Sequence, residues 1–522
     1  MNRVRSAAVL LVTAMTAVWF AIRFGVDFGV SDQDEFLPYL IHLGNPDWLT
    51  SDWFVQSQLA SVSVRAAFAW VLHGMTLAGL TTGQAVLALY VLSWLLLGAG
   101  IYRLTLAITD DPRAGLLAIP LVLIVTSRWN PGGNDFMYGL LVPESLAWGM
   151  VLFGASIWTT ARMNRNTAVW ASGLLFGLAV WIHPLVGLQS GGVVLVVLLF
   201  ARFTGTLSWK MIGLWSGLWL ALAIPVVWMF LPGSSPADDR ASEILVHLRS
   251  PHHYLPHAFD PASLMLLLVL VGAAAWVLWS KPAVFRSAFS RQTAALVCWV
   301  LTGGLAASAV VVHLWPDGPL TVVQPFKLAV LLRGACVVLV STGLVAMLSH
   351  RLPTIRQCAV VALLLTMLGV ALVVSLTPVQ QRALPFMRPD RVEFRRLAQV
   401  VETHTPANAV VVIPPGWTGF QFASHRAQYV NFKAFPFQSD AVLEWYDRLV
   451  AIGAAPEPGQ AGTDWLQALS RAYVQRTAGE WQTLLARINA THAIVPESIA
   501  PPAPLVCQSG WCLLRAPAPL AP

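Results

Sequence analysis

Charged side chains are scarce in this chain. Asp, Glu, Lys and Arg together make up 11% of its 522 residues, against about a quarter in an ordinary soluble domain. So few charges do not suit a water-soluble enzyme of this size, and a disordered chain would carry more charge and less apolar surface. Cysteine is scarce as well, with 5 in the sequence, which excludes a disulfide-stapled scaffold. No Walker loop or dinucleotide fingerprint stands in a strand–helix setting, so nucleotide-driven work is not indicated. No collagen period and no internal repeat is found.

What replaces the charge is apolar sequence: hydrophobic residues make up 57% and mean hydropathy is +0.65. These residues collect into runs near 20 long, the length a helix needs to cross about 30 Å of hydrocarbon. About eleven spans are predicted, near 6–24, 84–107, 114–127, 139–160, 167–182, 185–203, 209–231, 261–279, 293–312, 326–348 and 357–377. Arg3 and Arg5 precede the first run and no small-x-small cleavage site follows it, so it reads as an uncleaved span. The segment 64–80 is apolar but short, and Arg65 and His73 interrupt it. It reads as a helix lying in, or dipping into, the outer leaflet.

The net charge of +7 would suggest nucleic acid in a soluble protein. Here the cations lie in short loops between apolar runs, so no nucleic-acid partner is expected. With 64–80 left out of the spans, Arg3, Arg5, Arg113, Arg162, Arg165, Arg202, Lys210, Lys281, Arg286, Arg291, Arg351 and Arg356 fall on one side. Cytoplasmic retention of Lys and Arg makes that side the inner one. The reading is a multi-pass protein of a bacterial inner membrane, with everything after residue 378 outside. The polar groups then gather on the outer face: the acids of loop 25–83, Arg128, Asp135 and Tyr138, His183, the histidines of 232–260, and His313 with Asp317.

The tail has a different texture. Residues 408–413 read as a strand stopped by Pro414-Pro415-Gly416. Residues 440–452 read as an amphipathic helix with Val442, Trp445, Tyr446, Leu449 and Val450 on one face, capped by Ser439 or Asp440 and braced by Glu444 and Arg448. Further helices are expected near 463–475 and 479–488, and strands at 492–495 and 511–514. The expected organisation is a mostly α, polytopic bundle over 1–378, with a small extracytoplasmic α/β domain over 379–522. Cys507 and Cys512 flank a turn that a disulfide would staple in an oxidising compartment.

The sharpest constellation is Ser31-Asp32-Gln33-Asp34-Glu35. Ser31 would cap a short helix whose acids complement its dipole. The same carboxylates at the membrane surface suit a base for an acceptor hydroxyl, or a pair of ligands for a divalent cation. Asp32 and Glu35 share a helical face and Asp34 points elsewhere. Within the apolar runs, Glu144 is an ionisable group expected to line a cavity, placed about 7 Å below the start of its span. Lys327 and Arg333 are cations suited to a phosphate; six residues apart, they sit about 120° from each other on a helix, which favours Arg333. Pro256 between His253 and His257 argues against a helical zinc pair, and no metal site is assigned. Arg426 and Lys433 in the tail suit solvent, headgroups or an anionic acceptor.

A first span, a long outer loop opening on an acidic cluster, many further spans and an outer soluble domain together resemble the GT-C superfamily of membrane glycosyltransferases, with Asp32-Gln33-Asp34 as the matching stretch. The resemblance covers the plan of 1–377. It implies a first-loop Asp or Glu that acts as base or binds metal, and a lipid-phosphate-linked sugar donor as partner alongside the membrane lipids. The catalytic candidates are therefore Asp32, Asp34 and Glu35; the substrate-binding candidates are Arg128, Asp135, Glu144, His183, Lys327 and Arg333. The His183-Pro184 turn after Gly173 and Gly177, and the tail residues Pro414, Pro415, Phe420, Arg426, Lys433, Glu444, Trp445 and Arg448, resemble an uncharacterised family of bacterial membrane proteins. The alternatives to a transferase are a transporter or flippase for a lipid-linked or anionic solute, and a non-catalytic envelope assembly protein.

Overall fold

The computed structural model describes residues 3–128, 130–159, 165–229, 236–348, 389–488, 490–500 and 504–517. The chain divides into two compact units. One comprises Met1–Val26, Val86–Leu231 and His252–Arg382; the other comprises Asp27–Ala85, Pro232–Pro251 and Ala383–Pro522.

The described residues of the first unit are mainly helical, because an apolar helix satisfies its own backbone where no water is available. Among the described residues, seven helices are long and apolar enough to cross a membrane: Arg3–Phe24, Thr82–Thr109, Pro184–Phe203, Trp209–Met229, Pro261–Ser280, Ala288–Leu314 and Leu320–Leu348. Shorter apolar helices cover Pro112–Val125 and Asn166–Ile182, and Pro143–Thr159 is a further helix of 17 residues. The expected span 357–377, with Cys358, lies outside the described residues. The span expected from 139 begins only at Pro143, since residues 130–142 form irregular structure. Gly177 lets two helices close up: a Cβ there would sit 2.4 Å from Leu222 of Trp209–Met229, the close approach that small residues provide in membrane bundles.

The second unit is built on a mixed sheet of five strands in the order β2-β1-β3-β5-β4, with β1 Val410–Val412, β2 Ala427–Gln428, β3 His492–Pro496, β4 Val506–Gln508 and β5 Trp511–Arg515. Strands β1, β2 and β3 run parallel, and β5 is antiparallel to both β3 and β4. Helices Ser439–Ile452, Gly462–Gln475 and Ala478–Ile488 follow the amphipathic pattern and bury Trp445, Trp465 and Trp481. Their core also takes Trp53 and Phe54 from the helix Trp53–Ala60, and Ala241 and Ile244 from the segment around Pro236–Glu243. Helix Ala66–Leu77, within the 64–80 segment, has 12 residues, about 18 Å at 1.5 Å each, too short to span alone.

Arg448 and Glu444 form the expected ion pair at 2.6 Å. Ser439 does not cap its helix: the N-cap is Gln438 without a side-chain bond, and the Ser439 hydroxyl instead donates to Asp238. A tertiary carboxylate has outcompeted the local backbone. Cys507 and Cys512 are disulfide-bonded and stand directly opposite each other across the β4–β5 hairpin. Opening this short loop by Cys507→Ser is expected to cost about 2 kcal/mol by chain entropy, read as a lower thermal midpoint that reductant reproduces in the unsubstituted protein.

Candidate functional site

Each unit concentrates buried charge in one place. In the second unit the first-loop acids form a 3-10 turn, Ser31–Glu35. With three residues per turn, side chains three apart eclipse, so Asp32 and Glu35 share one side. Asp32 meets Lys433 Nζ at 2.6 Å, and Glu35 meets Arg65 at 2.7 Å. Ser31 is not the cap expected of it. Val30 holds that position with no side-chain bond, and Ser31 lies at φ +56°. The side chain that braces this turn is Gln33, whose Oε1 accepts the Gly29 N–H at 2.7 Å.

Asp34 points the other way, into the core. Both its oxygens accept the Gly419 N–H, at 2.9 and 3.1 Å, and Oδ2 also accepts the Asn431 amide at 2.8 Å. Gly419 is required for this approach: it sits at φ +80°, and a Cβ there would lie 1.9 Å from the Gly29 carbonyl oxygen. Burial pushes the Asp34 carboxyl up to about 7 against the pull of those donors, and the Asp32 charge adds to the rise. For Asp32, burial also pushes upward, but Lys433, then Arg249 and Arg65, outweigh it and hold the carboxyl below its ordinary value. Its side chain is 40% exposed, whereas Asp34 is 2% exposed. Asp32 is therefore the acid that a solute can reach.

A second buried carboxylate ties the same segments together. Asp52 caps Trp53–Ala60 through the Val55 N–H and accepts from Gln421 and Gln428 at 2.7 and 3.0 Å; burial raises its carboxyl. Arg249 lies over Phe432, 4.5 Å from the ring centroid. Arg426 is turned inward and bonded to Glu402 and Thr405 backbone oxygens. That fixes the end of Pro389–His404 rather than presenting a cation to an acceptor.

In the first unit, Arg333 is fully buried, donating to Asp135 at 2.5 Å and to the Thr126 carbonyl at 2.7 Å. Asp135 also accepts from Ser127 at 2.9 Å and from the Arg128 and Phe136 N–H groups at 2.5 and 2.7 Å. Lys327 meets Glu144 at 3.2 Å and Asn134 at 2.6 Å. Glu144 also accepts from Tyr138 and Trp148. Glu144 lies in the first turn of Pro143–Thr159, not 7 Å into a span, because the helix begins four residues later than its hydropathy suggested. His183 both follows the helix Arg165–Ile182 and caps Pro184–Phe203, its Nδ1 accepting the Val186 N–H at 3.4 Å. Arg128 is exposed, at φ +63°, with its guanidinium 4.6 Å from the Phe24 ring centroid; Arg23 lies 4.9 Å from the same ring.

Lys327 and Arg333, assessed together as phosphate ligands, thus have separate carboxylate partners, consistent with their angular separation. Among the described residues no group of three or more His, Cys, Asp or Glu side chains is arranged to hold a metal ion. Asp34 is surrounded by N–H donors, the opposite of what a cation needs beside a carboxylate, so the acidic turn does not fit the divalent cation considered from sequence. Gly419 and Asn431 carried no visible signal, since their importance arises only when a distant turn of the chain lands on them. Arg65 and Asp52 were visible as charges in a loop, but not as partners.

A family profile described as a domain of unknown function, DUF6798, matches residues 392–452, the stretch that contains Gly419, Gln421, Gln428, Asn431 and Lys433. No curated protein matches the sequence. Among solved structures, ArnT from Cupriavidus metallidurans in the apo state is 14% identical with a TM-score of 0.51, covering 97% of both chains. The same enzyme bound to undecaprenyl phosphate gives 14% and 0.51, covering 99% of this chain and 98% of that one. An Archaeoglobus fulgidus oligosaccharyltransferase tethered to an acceptor peptide gives 12% and 0.50, covering 95% of this chain and 69% of that one. The chain is a multi-pass membrane protein with the fold of the GT-C glycosyltransferases.

Proposed function

We propose that this protein is a membrane glycosyltransferase that moves a sugar from a lipid-phosphate-linked donor to an acceptor at the outer face of a bacterial inner membrane. The observation that carries this reading is the match of the whole chain to the ArnT fold, including the form bound to undecaprenyl phosphate, with one reachable carboxylate, Asp32, on the first-loop turn. The disulfide in the tail supports an oxidising, extracytoplasmic location for the second unit.

The reaction is direct displacement at the anomeric carbon. Asp32 takes the acceptor hydroxyl proton as the new C–O bond forms and the bond to the lipid phosphate breaks. Lys433, Arg249 and Arg65 keep Asp32 ionised at neutral pH. Geometry decides this role ahead of pKa: Asp34 titrates nearer neutrality, but its oxygens are occupied, which makes it a positioning residue, as is Glu35 through Arg65. Within the first unit, exposed Arg128 with Arg23 beside it is better suited to a phosphate than Arg333 or Lys327, whose charges are already balanced by Asp135 and Glu144. Guanidinium groups fork onto phosphate oxygens, and they stabilise the charge that develops on the leaving group.

The test is turnover by purified protein with a panel of polyprenyl-phosphate sugars. Asp32→Asn is expected to lower kcat by roughly 10²–10⁴ with unchanged expression. Full activity in that variant removes the base. Translocation without transfer, or neither, removes the transferase reading itself.

A further inference from the structure

The helices Thr82–Thr109, Pro143–Thr159, Pro184–Phe203, Ala288–Leu314 and Leu328–Leu348 of the first unit enclose a cavity of about 630 Å³, within the roughly 300–1,000 Å³ of small-molecule sites. Its wall is apolar along most of its length, with Leu104, Val194, Val197, Val297, Leu301 and Leu331 among the lining residues. The charged and exposed part of the lining is at one end, with Arg286, Ser287, Ser290 and Thr206, while Thr293 and Ser190 lie further along the wall. Arg286 and Ser287 are exposed there, and the Arg286 N–H is fixed on the Ile108 carbonyl at 2.8 Å. From Arg286 to Leu301 the wall runs about 22 Å at 1.5 Å per residue, enough to hold an acyl chain of one leaflet, whose hydrocarbon is half of about 30 Å.

The residues around the mouth are those of a membrane–water interface. Trp209, Trp276 and Trp279 are 55%, 49% and 89% exposed. Arg202 lies 5.4 Å from the Trp209 ring and Lys281 lies 5.5 Å from the Trp276 ring. Trp with Lys and Arg is the composition that anchors helix ends at headgroup level. The mouth is also at the far end of the unit from the buried Lys327–Glu144 pair. Gln189, near the start of Pro184–Phe203, bonds the Val323 and Gln324 carbonyls just before Lys327, while Arg202 and Thr206 lie at that helix's other end.

We infer that this cavity is a binding site for an anionic phospholipid of the leaflet opposite the candidate active face, with one acyl chain between the helices and the phosphate at Arg286. A lipid entering there places its headgroup on the wrong face to be a donor in the transfer reaction, so the inference stands independently of that reaction. Lys281 precedes Arg286 in the same loop, and Arg202 and Lys210 stand at the end of Pro184–Phe203 and the start of Trp209–Met229; each cation near an anionic headgroup contributes measurably to its retention.

The experiment is native mass spectrometry of the purified full chain with phosphatidylglycerol and phosphatidylcholine of identical acyl chains. It is paired with photo-crosslinking by phosphatidylglycerol carrying a diazirine in one chain. Phosphatidylglycerol adducts are expected to be retained roughly fivefold or more over phosphatidylcholine, and crosslinks to fall on 193–201 and 294–301. Arg286→Glu is expected to abolish the preference, and Val194→Trp, which fills the cavity, to remove adducts and crosslinks for both lipids. Equal retention of the two lipids, crosslinks confined to other helices, or suppression of the crosslinking by polyprenyl phosphate added before photolysis overturns the inference. If Val194→Trp does not fold, Arg286→Glu alone decides it.

Discussion

Replacing Arg333 by Met is expected to lower the thermal midpoint of the detergent-solubilised protein more than any other single change in the membrane unit, corresponding to about 3–5 kcal/mol. The side chain has no exposed surface, and it is the cation beside Asp135. Without it, the Asp135 side chain keeps the Ser127, Arg128 and Phe136 donors but loses its cation in a low-dielectric interior. Coulomb attraction that repays desolvation of a pair cannot repay it for one member. Adding Asp135→Asn to Arg333→Met is therefore expected to recover much of the loss, giving a coupling energy of roughly 1–3 kcal/mol in a double-mutant cycle. Additive losses, or a single variant that melts within a degree of the unsubstituted protein, would show that the pair does not hold this bundle together. The two outcomes also bear on transfer: a pair this costly to open is a poor transient ligand for phosphate.

The pH dependence of the second unit carries the other large effect. Asp34 has its carboxyl raised to about 7 by burial, above the usual value near 3.9 for an unfolded chain. The folded state therefore binds the proton more tightly. Its contribution is complete at acid pH and is lost as pH rises through the folded value. The difference between the two values sets an upper bound of about 4 kcal/mol, lost mainly between about pH 4 and pH 7. Asp52, also raised by burial, acts in the same direction. Asp32, held low by its cations, acts oppositely, and its contribution is lost as pH falls below about 4.

Hydrogen exchange in peptides covering 30–36 and 418–432 should consequently slow as pH is lowered from 8 to 5, after correction for intrinsic rates. Asp34→Asn keeps an acceptor for the Gly419 N–H and removes the charge, so it should flatten most of that slope while leaving the Asp52 part. Asp34→Ala instead leaves the Gly419 N–H without its acceptor, at about 1–3 kcal/mol, while the Asn431 amide keeps the Gln428 side-chain oxygen at 3.3 Å. A slope unchanged in Asp34→Asn would mean that Asp34 does not titrate in this range.

Much of the plan was legible in the residues. Apolar runs separated by cationic loops announce membrane helices because a bilayer demands about 20 apolar residues in a row, and the seven long helices found lie on such runs. The tail helices from Ser439 and Gly462 were equally visible, since a 3.6-residue period of Trp, Tyr and Leu has few other uses. Short elements were not. β2 has two residues and β4 three, too few to show a period, and Phe420–Ser424 is a single turn between left-handed residues.

Asp32, Asp34 and Glu35 were identifiable as a cluster, and their alternation around a turn followed from spacing alone. Their separate fates did not. One oxygen pair faces Lys433 and another meets Gly419 and Asn431 because segments nearly 400 positions apart pack into one unit, and no local pattern encodes a partner at that distance. The same holds for Arg333: its charge within an apolar run declares that something must neutralise it, but only the packing of the bundle names Asp135. Composition and periodicity dictate which segments become helices and which enter the bilayer, because those choices depend on each segment's own surface. Which carboxylate is open and which is locked depends on surfaces supplied by the rest of the chain, and therefore emerges only when it has folded.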